Sequence, residues 1–188
     1  MSRKISSRIA LLSAAAFGAL MITATSVAPV QAKEKTVMVG GAAMFPSKNI
    51  VQNAVNSKDH TTLVAAVKAA GLVDTLSSPG PFTVFAPTNA AFGKLPKGTV
   101  ATLVKPENKA TLTKILTYHV VPGKFSAADL TDGKKLTTVE GEQLTVRNVG
   151  GKVSIVDAKG GTSRVTIPNV NQSNGVIHVV NSVLMPAS

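Results

Sequence analysis

The stretch Thr83-Val84-Phe85-Ala86-Pro87-Thr88-Asn89-Ala90-Ala91-Phe92 decides the fold. Phe82 to Ala86 is a run of β-branched and aromatic residues, which suit a pleated, half-buried strand. Pro87 ends it, because proline has no N–H to donate to a ladder. The side chain of Thr88 or Asn89 can then accept a bond from an orphan backbone N–H and start a helical turn through Phe92. Phe92 comes back beside the strand. The unit is a strand-to-helix corner with aromatic pins, Phe85 and Phe92, at its two ends.

A second stretch closes the chain: Gly175-Val176-Ile177-His178-Val179-Val180-Asn181-Ser182-Val183-Leu184-Met185-Pro186. As a strand it points Val176, His178 and Val180 one way and Ile177 and Val179 the other. Asn174-Gly175 is a tight turn before it, and Asn181 and Ser182 offer polar groups at a bend after it. The corner at Pro87 and the strand around Ile177 are expected to meet in one apolar interior, with no reactive cleft between them.

Outward from the corner, the pattern is helical on the N-terminal side. Asn49 or Ser47 can cap a short helix through Val55. Asp59 precedes a clean stretch from Thr61 to Ala70, with Leu63, Val67 and Ala70 on one face and Gly71 as its stop. Two more helical pieces follow, Thr99 to Val104 and Glu107 to Leu116, with Leu112, Ile115 and Leu116 on a shared face. Tyr118 to Val121 reads as extended, up to Pro122-Gly123, and Ser126 caps a short turn through Leu130.

From Lys135 the rhythm changes to short runs rich in Val, Ile and Thr. They are Leu136 to Val139, Gln143 to Asn148, Lys152 to Val156, Ser163 to Val170 and Val176 to Val180. Gly150-Gly151 is a hairpin turn, and Pro168 requires an edge or a bulge in its strand. Helices first and strands second give an α+β fold, with helices packed around a mostly antiparallel sandwich or wedge.

Two of these segments, with Tyr118-His119-Val120-Val121 between them, carry more than a pattern. Thr83 to Phe92 resembles the first signature of fasciclin domains, Gly175 to Pro186 resembles the second, and Tyr118-His119 resembles the tyrosine–histidine segment of the family. The resemblance covers about Ser47 to Pro186 and is to a single-domain secreted bacterial member of the antigen-like kind. It implies a fasciclin-like fold, with Phe85, Pro87, Thr88, Asn89, Phe92, Gly175, His178 and Asn181 as structural signature positions. It also implies cell adhesion or extracellular-matrix interaction. From animal members it carries over Tyr118 and His119 as binding residues. The residues themselves favour another role, since a Tyr and a His at a helix-to-strand junction flanked by Leu116 and Val120 are more often buried and hydrogen-bonded.

The N-terminus gives a destination. Arg3, Lys4 and Arg8 precede an uncharged, apolar and small run from Ile9 to Ala24, and Val30-Gln31-Ala32 follows Pro29. That order is a secretory signal peptide, 1–32, cleaved after Ala32. Residues 33–46 read as a flexible leader and 47–186 as the domain. The expected location is periplasmic or extracellular. There is no Cys, so stability in an oxidising compartment has to come from the core alone. Without the first 32 residues the chain has 17 basic and 9 acidic residues, and only Arg147 and Arg164 of the basic ones are Arg.

Scattered lysines make a solvated basic surface, which attracts anionic partners without sequence-specific nucleic-acid recognition. One Tyr, six Phe and no Trp leave few rings for the stacking platforms that single strands use. His60, His119 and His178 show no pair at metal-ligand spacing, so neither a metal nor a cofactor is expected. His60 is expected at the surface and His178 in the core. Nucleophile-elbow and phosphate-loop sequences do not occur. The reading is a non-catalytic exported binding protein. Its expected partner is a cell-surface or matrix protein or an anionic polysaccharide, with membrane contact peripheral at most. An exported carrier of a small apolar ligand, or a host-interaction factor, is the alternative; a hydrolase comes last.

Overall fold

The computed structural model describes residues 35–187. The signal-peptide reading of 1–32 lies outside them. The described residues form one compact unit, and it begins earlier than the sequence pattern did. Strands β1 (Val37–Val39) and β2 (Ala42–Met44) make a small antiparallel hairpin. Val39 and Met44 are buried in the main core. The leader reading of 33–46 is therefore corrected for 37–44. Two three-residue strands around Gly40-Gly41 are too short to show a period.

Six helices follow the hairpin and interleave with the first strands. They are α1 (Ile50–Ala54), α2 (Thr61–Ala70), α3 (Val73–Ser77), α4 (Asn89–Phe92), α5 (Thr99–Leu103) and α6 (Lys109–Tyr118). Asn49 caps α1 through a reciprocal box with Gln52, and Gly71 ends α2 in the left-handed conformation. One expectation changes here. Tyr118 is the last residue of α6 and not the first of a strand, and β4 runs Val120–Pro122. Tyr118 stands three residues after Ile115, so both fall on the buried face of the helix.

The remaining strands are β3 (Phe82–Pro87), β5 (Lys135–Thr137), β6 (Gln143–Val149), β7 (Lys152–Val156), β8 (Thr162–Gln172) and β9 (Gly175–Val180). One seven-stranded sheet has the order β4-β3-β9-β8-β7-β6-β5. Only β3 and β9 run parallel, with Phe82 opposite Gly175, Val84 opposite Ile177 and Pro87 opposite Val180. The corner and the closing strand are thus direct neighbours. A Cβ on Gly175 would run into the Phe82 backbone, so this close approach requires glycine. The β8–β9 register shifts on both sides of Ile167, the bulge that Pro168 demanded, and Asn169 takes a positive φ there. At the far ends the sheet nearly closes: the Val139 N–H donates to the Val120 carbonyl at 2.8 Å.

The β3–β9 pair is a wall between two apolar interiors. On one face Val84, Ala86, Ile177 and Val179 meet the helices through Leu63, Val67, Leu112 and Leu116. On the other, Phe85 and Val180 meet Tyr118, Leu130, Leu144, Val146, Ile155 and Leu184 inside the rolled sheet. Every residue of β9 is buried, as expected for a strand covered on both faces.

Candidate functional site

The signature residues converge at this wall and nearly all of their polar atoms are used internally. Thr88 caps its own helix, accepting from the Ala91 N–H at 3.2 Å. Asn89 reaches a different element. Its Oδ1 accepts from the Thr62 N–H at 3.0 Å, and its Nδ2 donates to the Lys58 carbonyl and to Thr61 Oγ1, both at 2.9 Å. α2 has no N-terminal side-chain cap of its own, so Asn89 supplies it from across the fold. Asn181 Oδ1 accepts from the Arg164 N–H at 2.9 Å and fixes the bend after β9. Phe85 stacks on His178, with centroids 5.7 Å apart, and Phe92 is buried in the helix-side core.

Tyr118 is fully buried, and His119 is 2% exposed. The Tyr118 hydroxyl accepts from the Ala158 N–H at 2.9 Å and faces the Gln143 carbonyl at 3.4 Å. Burial raises its pKa, with the charges of Asp157, Glu142 and Glu140 adding to the effect and the Ala158 N–H opposing it. The Leu184 N–H donates to His119 Nε2 at 2.9 Å, which leaves the ring proton on Nδ1, where it donates to the Ile115 carbonyl at 2.8 Å. Desolvation holds this imidazole neutral and lowers its pKa from 6.5 to about 4. A partner approaching from outside meets neither side chain. Their place is at a junction that ties the end of α6 to the turn after β7 and to the C-terminal segment.

His178 carries the opposite tautomer. Its Nε2 donates to the Phe125 carbonyl at 2.8 Å and its Nδ1 faces the Asn169 N–H at 3.4 Å. Burial lowers its pKa too. His60 departs from expectation: it is 3% exposed. The 3-10 turn Lys58–His60 folds the ring inward, where Nδ1 meets Ser57 Oγ at 2.9 Å. Burial lowers its pKa and the Ala86 carbonyl opposes this, although Nε2 completes no hydrogen bond of ordinary geometry.

Sequence reasoning missed two organising side chains. Asp157 accepts from the Gly161 N–H at 2.6 Å and the Lys159 N–H at 3.0 Å through Oδ1, and from the Met185 N–H at 3.1 Å through Oδ2. An Asp opening a Gly-rich turn was the available signal. Asn174 accepts from the Ile50 N–H at 3.0 Å and donates to the Leu76 and Ser78 carbonyls at 2.8 and 3.0 Å. Read as half of an Asn-Gly turn, it also holds α1 and the end of α3.

His119 senses the charge of Asp157, but both groups spend their atoms on backbone partners. Among the described residues, no group of three or more His, Cys, Asp or Glu could hold a metal ion. No helix among them is long and apolar enough to cross a membrane. An apolar cavity of about 50 Å³ lies between the helices and the sheet, bordered by Leu63, Val67, Val84 and Ile177. Small-molecule pockets run to roughly 300–1,000 Å³, so this is a packing gap.

Comparison with known proteins agrees with the geometry. A protein of Synechocystis sp., Protein sll1483, is 46% identical over 183 residues, covering 97% of this chain and 98% of that protein. Immunogenic protein MPB70 of Mycobacterium bovis is 41% identical over 138 residues, 71% of this chain and 66% of its own. Among solved structures, a domain pair from the insect cell adhesion molecule fasciclin I superposes with a TM-score of 0.66 at 18% identity, over 75% of this chain and 52% of that one. The sequence pattern of the fasciclin domain matches residues 58–186, and the chain belongs to the fasciclin domain family.

Proposed function

We propose that this is an exported, non-catalytic binding protein, acting in the periplasm or outside the cell in adhesion or in contacts with surface or matrix components. Family membership over residues 58–186 carries the reading. The internal use of the signature side chains supports it. Tyr118, His119, His178, Thr88, Asn89 and Asn181 all bond within the fold, so recognition falls to the outer faces and loops. Those faces carry a net positive charge, which favours anionic surfaces and makes attachment sensitive to salt.

The test is a pull-down of the protein against envelope fractions and extracellular polymers at low and high salt. Retention at low salt that weakens as salt rises is the expected result. Failure to hold any fraction at low salt overturns the reading.

A further inference from the structure

We propose that the outer face of β6, β7 and β8 is a docking surface for an acidic polysaccharide, gripped by Arg147, Lys152 and Arg164. The proposal rests on the binding function above and names its partner class.

The register builds the surface. Arg147 pairs with Ser154 and Ser154 with Arg164, so the two arginines stand in one row across three adjacent strands. Strand alternation then sets which way they point. Val146, Val153, Ile155 and Ser163 are buried toward the interior. Arg147, Val149, Lys152, Thr162 and Arg164, from the same strands, are exposed. Residues 33–188 contain two arginines, and this row uses both. Guanidinium forks bind carboxylate, sulfate or phosphate groups through two parallel hydrogen bonds, which lysines cannot do.

The cations are free to act. Arg147, Lys152, Ser154 and Arg164 line a shallow depression with no carboxylate along it. Among the described residues, none of the three makes an ion pair. Like charges gathered without counter-charge repel, and an anionic ligand relieves that repulsion. Two strand spacings separate the arginine backbones by about 10 Å, so the row suits a chain bearing successive anionic groups better than one small anion. Val149, 71% exposed at the hairpin end, and Val156, opposite Thr145 further along the ribbon, both line the depression and offer apolar contact to the C–H faces of successive sugar rings.

Competing polyanions fit less well. The depression has no aromatic ring, and single-stranded nucleic acid is held largely by stacking. Anionic bilayers are recognised by clusters of about four to eight Lys or Arg, more than this face carries.

The test passes the protein over immobilised alginate, dextran sulfate and uncharged dextran across a salt series. We expect retention on the charged polymers only; the stronger of the two identifies carboxylate or sulfate as the preferred group. R147Q/R164Q should weaken that binding about tenfold or more and lower the slope of log affinity against log salt by about two, with an unchanged melting temperature. K97Q/K124Q removes the same charge at exposed positions elsewhere and should bind as the parent does. Equal losses in the two double variants overturn the proposal, as does tighter binding to single-stranded DNA or phosphatidylglycerol vesicles. If both charged polymers fail while envelope fractions still retain the protein, the polysaccharide surface falls and the binding function stands. If the envelope fractions fail as well, both fall.

Discussion

The two interiors on either side of the β3–β9 wall are built differently. On the helix side, Leu63, Val67, Ile177 and Phe92 keep 6–8% of their surface exposed, and Leu63, Val67 and Ile177 border the 50 Å³ gap. Inside the rolled sheet, Phe85, Tyr118, Leu130, Leu144, Val146, Ile155, Val180 and Leu184 are all at 0%. Helices of four to ten residues cover a flat wall incompletely. A sheet that nearly closes on itself, through the Val139 N–H to the Val120 carbonyl, leaves no such seam, and Tyr118 and His119 tie the end of α6 to the Ala158 and Leu184 N–H groups beside it. The largest fully buried side chains of this protein, Tyr118 and Phe85, lie inside the sheet, and the hydrogen bonds of the junction hold Tyr118 there.

Core truncation should break the comparison most sharply. Phe85→Ala empties the sheet interior beside His178 and is expected to cost about 3–5 kcal/mol, while Leu63→Ala on the helix side should sit near the low end of about 2–5 kcal/mol. Urea denaturation of both variants reads the difference, and a costlier Leu63→Ala would reverse the ranking of the two cores.

His119→Ala comes next. It strands the Leu184 N–H and the Ile115 carbonyl, at about 2–4 kcal/mol in total for two buried groups. This variant also reports on pH. The folded protein resists protonating His119 until about pH 4, whereas the unfolded chain takes the proton near 6.5. Between those values the unfolded state binds more protons, so stability is full above pH 6.5 and falls as acid is added, by about 3 kcal/mol from this group. His60 and His178, also lowered, act in the same direction. Melting curves from pH 7 to 4 should fall more steeply for the parent than for His119→Ala. Parallel curves would remove His119 from the acid response.

Two neighbouring caps give a smaller contrast. Thr88→Ala should cost about 1 kcal/mol, an ordinary helix cap, and Asn89→Ala about 2 kcal/mol, because it also uncaps α2 and leaves the Lys58 carbonyl without its donor. Thermal melts of the pair decide it. Smallest of all, Arg147→Gln on the open face should change stability by less than about 0.5 kcal/mol.

The local features were legible where residues declare themselves. The Thr61–Ala70 helix, the hairpin at Gly150-Gly151 and the bulge at Pro168 each have a chemical marker in the chain. The boundary at Tyr118 did not, because Tyr-His-Val-Val looks like a β-rich run, and only packing of Tyr118 into the sheet interior keeps it helical. His60 was misplaced for a related reason: its burial depends on the 3-10 turn and on Ser57, three positions away, not on the polarity of Asp59 beside it. The corner and closing strand were recognised as partners, yet nothing local indicated that they run parallel. The pairing of Arg147, Ser154 and Arg164 likewise appears only once register is known.

That parallel pairing bears on how fast the molecule can assemble. Phe82 waits for Gly175, 93 positions later, while the β6–β7 and β7–β8 ribbons need only their own short turns. Contacts so distant along the chain carry a loop-closure cost and slow folding. Until that pairing closes, the helical half can lean only on its own apolar faces and on Val39 and Met44 of the first hairpin, without Ile177 and Val179 to complete its core.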